Sequence, residues 1–130
     1  MKKGFTLVEL LAVLVIISLI SLIILPVVSN VIENSRKKAA EMSASNYIDA
    51  VRNQIALSIN KPSITFEDGA YDVETLRDDY DVIVKDNYPT EGTVNIADNS
   101  IINAQICISK YYVSYSDGIF RILGGCEDNN

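Results

Sequence analysis

One carboxylate, Glu9, stands at the head of a long apolar run and is preceded by Lys2-Lys3-Gly4-Phe5-Thr6-Leu7-Val8. No further charge occurs until Glu33, which leaves 23 uncharged positions between the two glutamates. That length suffices for a bilayer-crossing helix, which needs about 20 residues. A carboxylate at the centre of such a helix costs on the order of 3 kcal/mol, and less near its end. A partner for Glu9 is therefore to be sought. The other chemistry-bearing residues are few. Cys107 and Cys126 are the only cysteines, and histidine is absent, which excludes His-based triads and histidine metal ligation. No phosphate-binding glycine loop is present, and Gly124-Gly125 reads as a turn that lets the tail approach the rest of the domain. Asp78, Asp79 and Asp81 lack the spacing of a calcium loop and read as a solvated acidic face. The expectation is a protein that is not an enzyme and has no cofactor or metal.

Gly4-Phe5-Thr6-Leu7-Val8-Glu9 and its apolar extension resemble the processing site of type IV pilins and pseudopilins. The resemblance implies cleavage by a prepilin peptidase between Gly4 and Phe5, and N-methylation of the Phe5 amine. It implies that Glu9 pairs with the N-terminal amine of a neighbouring subunit during filament assembly. The match covers roughly the first quarter of the chain, and the remainder resembles the family only in layout. Two other readings fit the lysines and the apolar run. One is a secretory signal with a poor cleavage site at Val27-Val28-Ser29, and the other is a plain membrane anchor held by the positive-inside rule. Neither accounts for glycine, phenylalanine and glutamate at this spacing.

The elements that position these residues follow from periodicity. Phe5 to about Asn60 contains no glycine and one proline, Pro26, and reads as one helix. Such a rod would be about 84 Å long at ~1.5 Å per residue, more than a globule of this size buries along its length. The N-terminal half is therefore expected to protrude. Pro26 removes a helical hydrogen bond and predicts a kink or local unwinding around Leu22–Pro26. Ser18 and Ser21 are expected to bond back to their own helix. Beyond the apolar segment, Val28, Val31 or Ile32, Ser35, Ala39, Met42, Tyr47, Val51, Ile55 and Ile59 recur every three or four residues, as a stripe on one face. Arg36-Lys37-Lys38 reads as a solvated basic face.

Lys61-Pro62 ends the helix. Ser63 to Pro89 reads as a connecting loop, with a turn at Asp68-Gly69, a brief helix over Val73–Asp79 capped by Asp72, and a short strand at Val82-Ile83-Val84. Strands are expected over Thr93–Ile96, Ile101–Ser109, Tyr111–Tyr115 and Ile119–Leu123, with turns at Asp98-Asn99 and Asp117-Gly118. Three or four antiparallel strands laid on the helix give an α+β fold: a long protruding N-terminal helix packed at its C-terminal half against a small antiparallel sheet. The expected division is a leader at 1–4, a transmembrane and assembly helix at 5–31, its amphipathic continuation at 32–60, and a loop with a C-terminal sheet at 61–130. Cys107 and Cys126 allow one intramolecular pairing, and pilins often close their C-terminal region this way. The alternative is two buried free thiols, and the disulfide is the expectation.

Charge bounds the partners. Residues 1–60 carry six basic and four acidic side chains, and residues 61–130 carry five and thirteen, for a net −6 over 130 residues. So acidic a distal region argues against direct nucleic-acid binding, which needs clustered Lys and Arg. The function expected is a structural subunit of a type IV pilus or pilus-like filament, single-pass in the cell membrane before assembly and on the cell surface after it. Its expected partners are other pilin subunits, prepilin peptidase, the membrane assembly machinery and the lipid bilayer. A pseudopilin of a type II secretion or DNA-uptake system, or a solitary membrane-anchored ectodomain, are the alternatives.

Overall fold

A computed structural model describes Gly4, Thr6–Lys85 and Asn87–Cys126. Helix α1 runs Leu7–Ile59, followed by strand β1 (Gly69–Asp72), helix α2 (Val73–Asp78), and strands β2 (Glu91–Ala97), β3 (Ser100–Ile108), β4 (Tyr111–Ser116) and β5 (Ile119–Gly125). The strands form one antiparallel meander in the order β1-β2-β3-β4-β5. The fold is α+β, as expected. The chain divides into two compact units, one ending at Arg36 and the other beginning at Lys37.

In the first unit α1 continues through Pro26 within its assigned span. Ser18, Ser21 and Ser29 donate their hydroxyls to the carbonyls of Leu14, Ile17 and Leu25, four residues back, at 2.7, 2.8 and 3.1 Å. Each serine thereby satisfies itself without a neighbour, which suits an apolar environment.

The core of the second unit forms where α1 lies on the sheet. Ala40, Ala44, Tyr47, Ile48, Val51 and Ile55 cluster with Val94 and Ile96 of β2, Ala104, Ile106 and Ile108 of β3, and Val113 and Tyr115 of β4. Arg52 crosses between the layers: its guanidinium donates to the Tyr115 hydroxyl at 3.1 Å while pairing with Asp49 at 2.7 Å. The buried helical face corrects the expected stripe. Tyr47, Val51 and Ile55 lie on it, but Met42 and Ile59 are exposed, as are Val28, Val31, Ile32, Ser35 and Ala39. Ala40 and Ala44 are buried where the expected stripe had Ala39 and Met42. Tyr47 is wholly buried edge-on to Tyr88, with ring centroids 5.4 Å apart, and burial pushes its phenol far above the usual range.

Three further corrections concern the segment between α1 and β2. Asp68-Gly69 is not a turn. Gly69 opens β1, paired with Ile96, and the Asp68 carboxylate accepts the Asp98 N–H at 2.9 Å. This edge strand raises the sheet to five strands among the described residues, where three or four were expected. Asp72 does stand at the N-terminus of α2, though without a side-chain cap bond. Val82-Ile83-Val84 forms no strand. The Val82 N–H returns to the Leu76 carbonyl at 3.0 Å, Asp81 adopts a left-handed φ of 53°, and only Val82 is buried. The β-branched residues anchor a helix exit instead of joining a ladder.

All three hairpins among β2–β5 turn on two residues with positive φ, the primed geometry that matches strand twist: Asp98-Asn99 (52°, 58°), Ser109-Lys110 (50°, 72°) and Asp117-Gly118 (51°, 79°). The middle one carries no residue that favours this conformation, so its sequence gave no turn signal. Imperfect alternation has a local cause too. The β2–β3 register shifts between Asn95 and Ile96 so that Ile102 is bulged, and the β4–β5 register shifts beside Tyr112 so that Leu123 is bulged. Gly124-Gly125 is therefore the paired end of β5 and not a turn, opposite Tyr112 and Tyr111.

Gly92 is the one glycine that the sheet itself requires. Its φ is 136°, and a Cβ there would collide with the Gln105 carbonyl oxygen and approach the Ile106 Cα to 2.6 Å. Both obstacles are backbone atoms of β3 and cannot swing aside. Gly92→Ala is expected to destabilise the second unit by about 2 kcal/mol or more, measured by thermal or denaturant unfolding. Unchanged stability would show that β2 and β3 do not approach this closely.

Candidate processing and assembly site

Gly4 is exposed, and no described atom lies within 4 Å of where its Cβ would be. The fold therefore places no steric demand for glycine at this position. Phe5, the other half of the expected cleavage site, lies outside the described residues, as do Met1–Lys3.

Thr6 and Glu9 make a reciprocal pair. The Glu9 N–H donates to Thr6 Oγ1 at 3.2 Å, and the Thr6 N–H donates to Glu9 Oε2 at 3.2 Å. The Thr6 carbonyl meanwhile accepts the Leu10 N–H at 3.2 Å, the first bond of the helix. This is a capping box, with Thr6 as the N-cap and Glu9 at its third helical position. Two amides that the start of a helix would leave unpaired are satisfied by side chains of the same chain. The negative charge of Glu9 also sits at the positive end of the helix dipole. No described residue engages Glu9 Oε1, so the carboxylate keeps one oxygen for an external donor. The Thr-x-x-Glu spacing was visible in the sequence, and the role of Thr6 was the reading that escaped.

From Leu10 to Val28 the helix surface is apolar except for Ser18 and Ser21, whose hydroxyls bond within the helix. Its most hydrophobic stretch is long and apolar enough to cross a membrane, and none of it is buried by the chain. Leu22 and Ile23 are 70% and 71% exposed. A contiguous apolar surface of this extent is covered by lipid or by other protein in any stable state. Pro26 lies inside this stretch, where its missing N–H leaves the Leu22 carbonyl without its helical donor.

At the opposite end of the chain, Cys107 of β3 and Cys126 are joined by a disulfide with Cα atoms 5.9 Å apart. The Cys126 N–H donates to the Lys110 carbonyl in the β3–β4 turn at 3.0 Å, which brings the tail across that turn. Closing a loop of this separation, 19 residues, stabilises by roughly 3 kcal/mol in the chain-entropy model.

A Thr6→Val change removes the hydroxyl acceptor while keeping shape. It is expected to weaken the first helical turn by about 1 kcal/mol. Faster amide exchange at Leu7–Leu10 in a membrane mimetic, with β-sheet amides unaffected, is the expected result. Unaltered exchange at those amides would mean that the cap does not hold in the apolar medium.

Against this geometry, one comparison is informative. The family described as the prokaryotic N-terminal methylation motif matches residues 1–25. No curated protein and no solved structure matches the chain. The matched region contains Gly4, Phe5, Thr6, Glu9 and most of the apolar surface that the chain leaves uncovered. The chain thus bears, over residues 1–25, the N-terminal signature of the type IV pilin and pseudopilin class.

Proposed function

We propose that this chain is a structural subunit of a type IV pilus or pilus-like filament, anchored by α1 in the cell membrane and then packed through α1 against other copies. The observation that carries this reading is the coincidence of the methylation motif with an apolar helix that its own chain leaves uncovered.

The chemistry runs in three steps. Before processing, Lys2 and Lys3 hold the N-terminus at the cytoplasmic face, because cations there resist translocation. A prepilin peptidase cleaves the Gly4–Phe5 amide, which removes both lysines and creates one ammonium at Phe5. The fold's indifference to a side chain at Gly4 supports placing the demand for glycine in the peptidase. N-methylation of that amine keeps it cationic. The mature apolar segment then carries one positive and one negative charge, and neither is stable alone in an apolar medium. Glu9 Oε2 is held by its own Thr6 N–H, while Oε1 accepts from the Phe5 ammonium of a neighbouring copy. Each subunit offers one acceptor and one donor at offset positions, a heterologous contact that propagates into a filament.

Removing one partner of a buried ion pair costs roughly 3–5 kcal/mol. Glu9→Ala is therefore expected to give a folded, membrane-bound monomer that assembles poorly or not at all, scored by sheared-filament yield and electron microscopy. Wild-type yield would defeat the role assigned to Glu9. Intact mass and N-terminal sequencing of the native protein are expected to show methylated Phe5 as the first residue. Replacing Gly4 with a bulky side chain is expected to leave Met1–Lys3 attached. An intact Met1 in the native protein would favour a solitary anchored ectodomain. Extended surface fibres support the pilus, and short envelope-confined assemblies would place the chain among pseudopilins of secretion or DNA uptake.

A further inference from the structure

The sheet is open on both sides, with β1 and β5 as its edges. Among the described residues, no hydrogen bond from outside the sheet reaches the backbone of Gly69–Tyr71 or of Ile119–Gly125. Each edge therefore presents unpaired N–H and C=O groups along its free side. Sheet edges are usually blunted by lysine, proline or an early bulge, and in β5 the bulge comes only at Leu123. The regular stretch before it, Ile119–Ile122, holds no proline, and its one charge is Arg121. The pairing register carries one row of residues from edge to edge: Asp72, Thr93, Gln105, Ser114 and Arg121, one from each strand. This row lies on the outer face, because the alternate row through Val94, Ala104 and Tyr115 is in the core. A carboxylate ends it on β1 and a guanidinium ends it on β5. Both residues are exposed, and neither has an ionic partner among the described residues. The next row on the same face ends in Ala70 on β1 and Ile119 on β5, also exposed.

We propose that β5 of one copy pairs with β1 of the next, so that the sheets of neighbouring copies join edge to edge. The inference takes the second copy from the filament reading above and adds where the second units meet. Charge and register select this partner. A copy in the same orientation sets β5 parallel to the neighbouring β1, since both are odd strands of one meander. Arg121 then meets the next copy's Asp72 in a continued row, and Ile119 meets the next copy's Ala70. Like edges do not fit. Pairing β5 with β5 brings Arg121 towards a second Arg121. Pairing β1 with β1 brings Asp72, with Glu67 and Asp68 just before the strand, towards the same acids. A foreign extended peptide fills one edge and leaves the other end of the row unmatched, whereas a second copy matches both. Contact between unlike edges leaves one of each kind free at the ends of the assembly, so it propagates.

The test uses the full-length chain in its native host. Ala70→Cys and Ile119→Cys, both at exposed positions, are made singly and together, and the two native cysteines are already bridged. Mild oxidation of the paired variant with copper phenanthroline is expected to give a ladder of dimers, trimers and larger species that collapses on reduction. Each single variant is expected to give none. In the otherwise native chain, Asp72→Arg and Arg121→Asp are each expected to lower sheared-filament yield roughly fivefold or more, and the two together to restore it. Unchanged melting temperatures assign those losses to assembly and not to folding. Filaments without the ladder overturn the edge pairing and leave the filament reading standing. So do cross-links from Ile119→Cys alone that stop at dimers, adducts with a foreign protein in place of the ladder, or charge variants that assemble at native yield. A ladder without filaments supports the edge contact and defeats the filament reading. Absence of both defeats both.

Discussion

Everything in the N-terminal unit turns on one electrostatic constraint: an ionised carboxylate at the head of an apolar helix must be neutralised before that helix can be packed away from water. The chain meets half of that demand itself. Thr6 satisfies one carboxylate oxygen and the free end of the helix backbone together. The other oxygen is left for a donor from outside the chain. A capping box normally serves only local stability, but here it also fixes the acid's direction, so that the remaining acceptor has a defined position instead of a mobile one.

The same economy governs the apolar segment. Its serines bond to their own helix, so their hydroxyls do not project from the surface in search of water. The apolar side chains are left uncovered, and only lipid or other protein can cover them. Such a surface accepts either solvent, because lipid tails and leucine side chains are equally apolar, and choice between the two falls to small terms such as packing and ion pairing. That is the physical basis for the proposed use of one segment first as an anchor and then as a packing element.

In the second unit the stabilising logic is ordinary for a small α+β domain, with two local devices that matter. The disulfide brings the C-terminal tail across the β3–β4 turn, where Ser109 and Lys110 both hold a positive φ. Ser109 and Lys110 hold a left-handed turn that disfavours ordinary side chains by roughly 1–2 kcal/mol per residue. The neighbouring bridge keeps that turn from fraying. On the outer face of the sheet, Thr93, Gln105 and Ser114 lie in register across three strands.

Much of this was legible without coordinates because it is local. The extent of α1, the cleavage motif, the serine back-bonds, the Asp98-Asn99 and Asp117-Gly118 turns and the single cysteine pairing depend on residues near in sequence or on simple counting. The Thr6–Glu9 cap was equally local and was legible in principle. Tertiary structure decided what depends on distant neighbours. It chose the Ala40–Ala44 face of the helix over the Met42 face, since burial follows the rotation at which the rod meets the sheet and not side-chain size alone. It recruited Gly69–Asp72 as an edge strand because β2 had an unpaired ladder to fill. It denied a strand to Val82–Val84 because the Leu76 carbonyl claimed their first amide. And it aligned Thr93, Gln105 and Ser114 into one row, a juxtaposition of residues from three strands that only the pairing register could create.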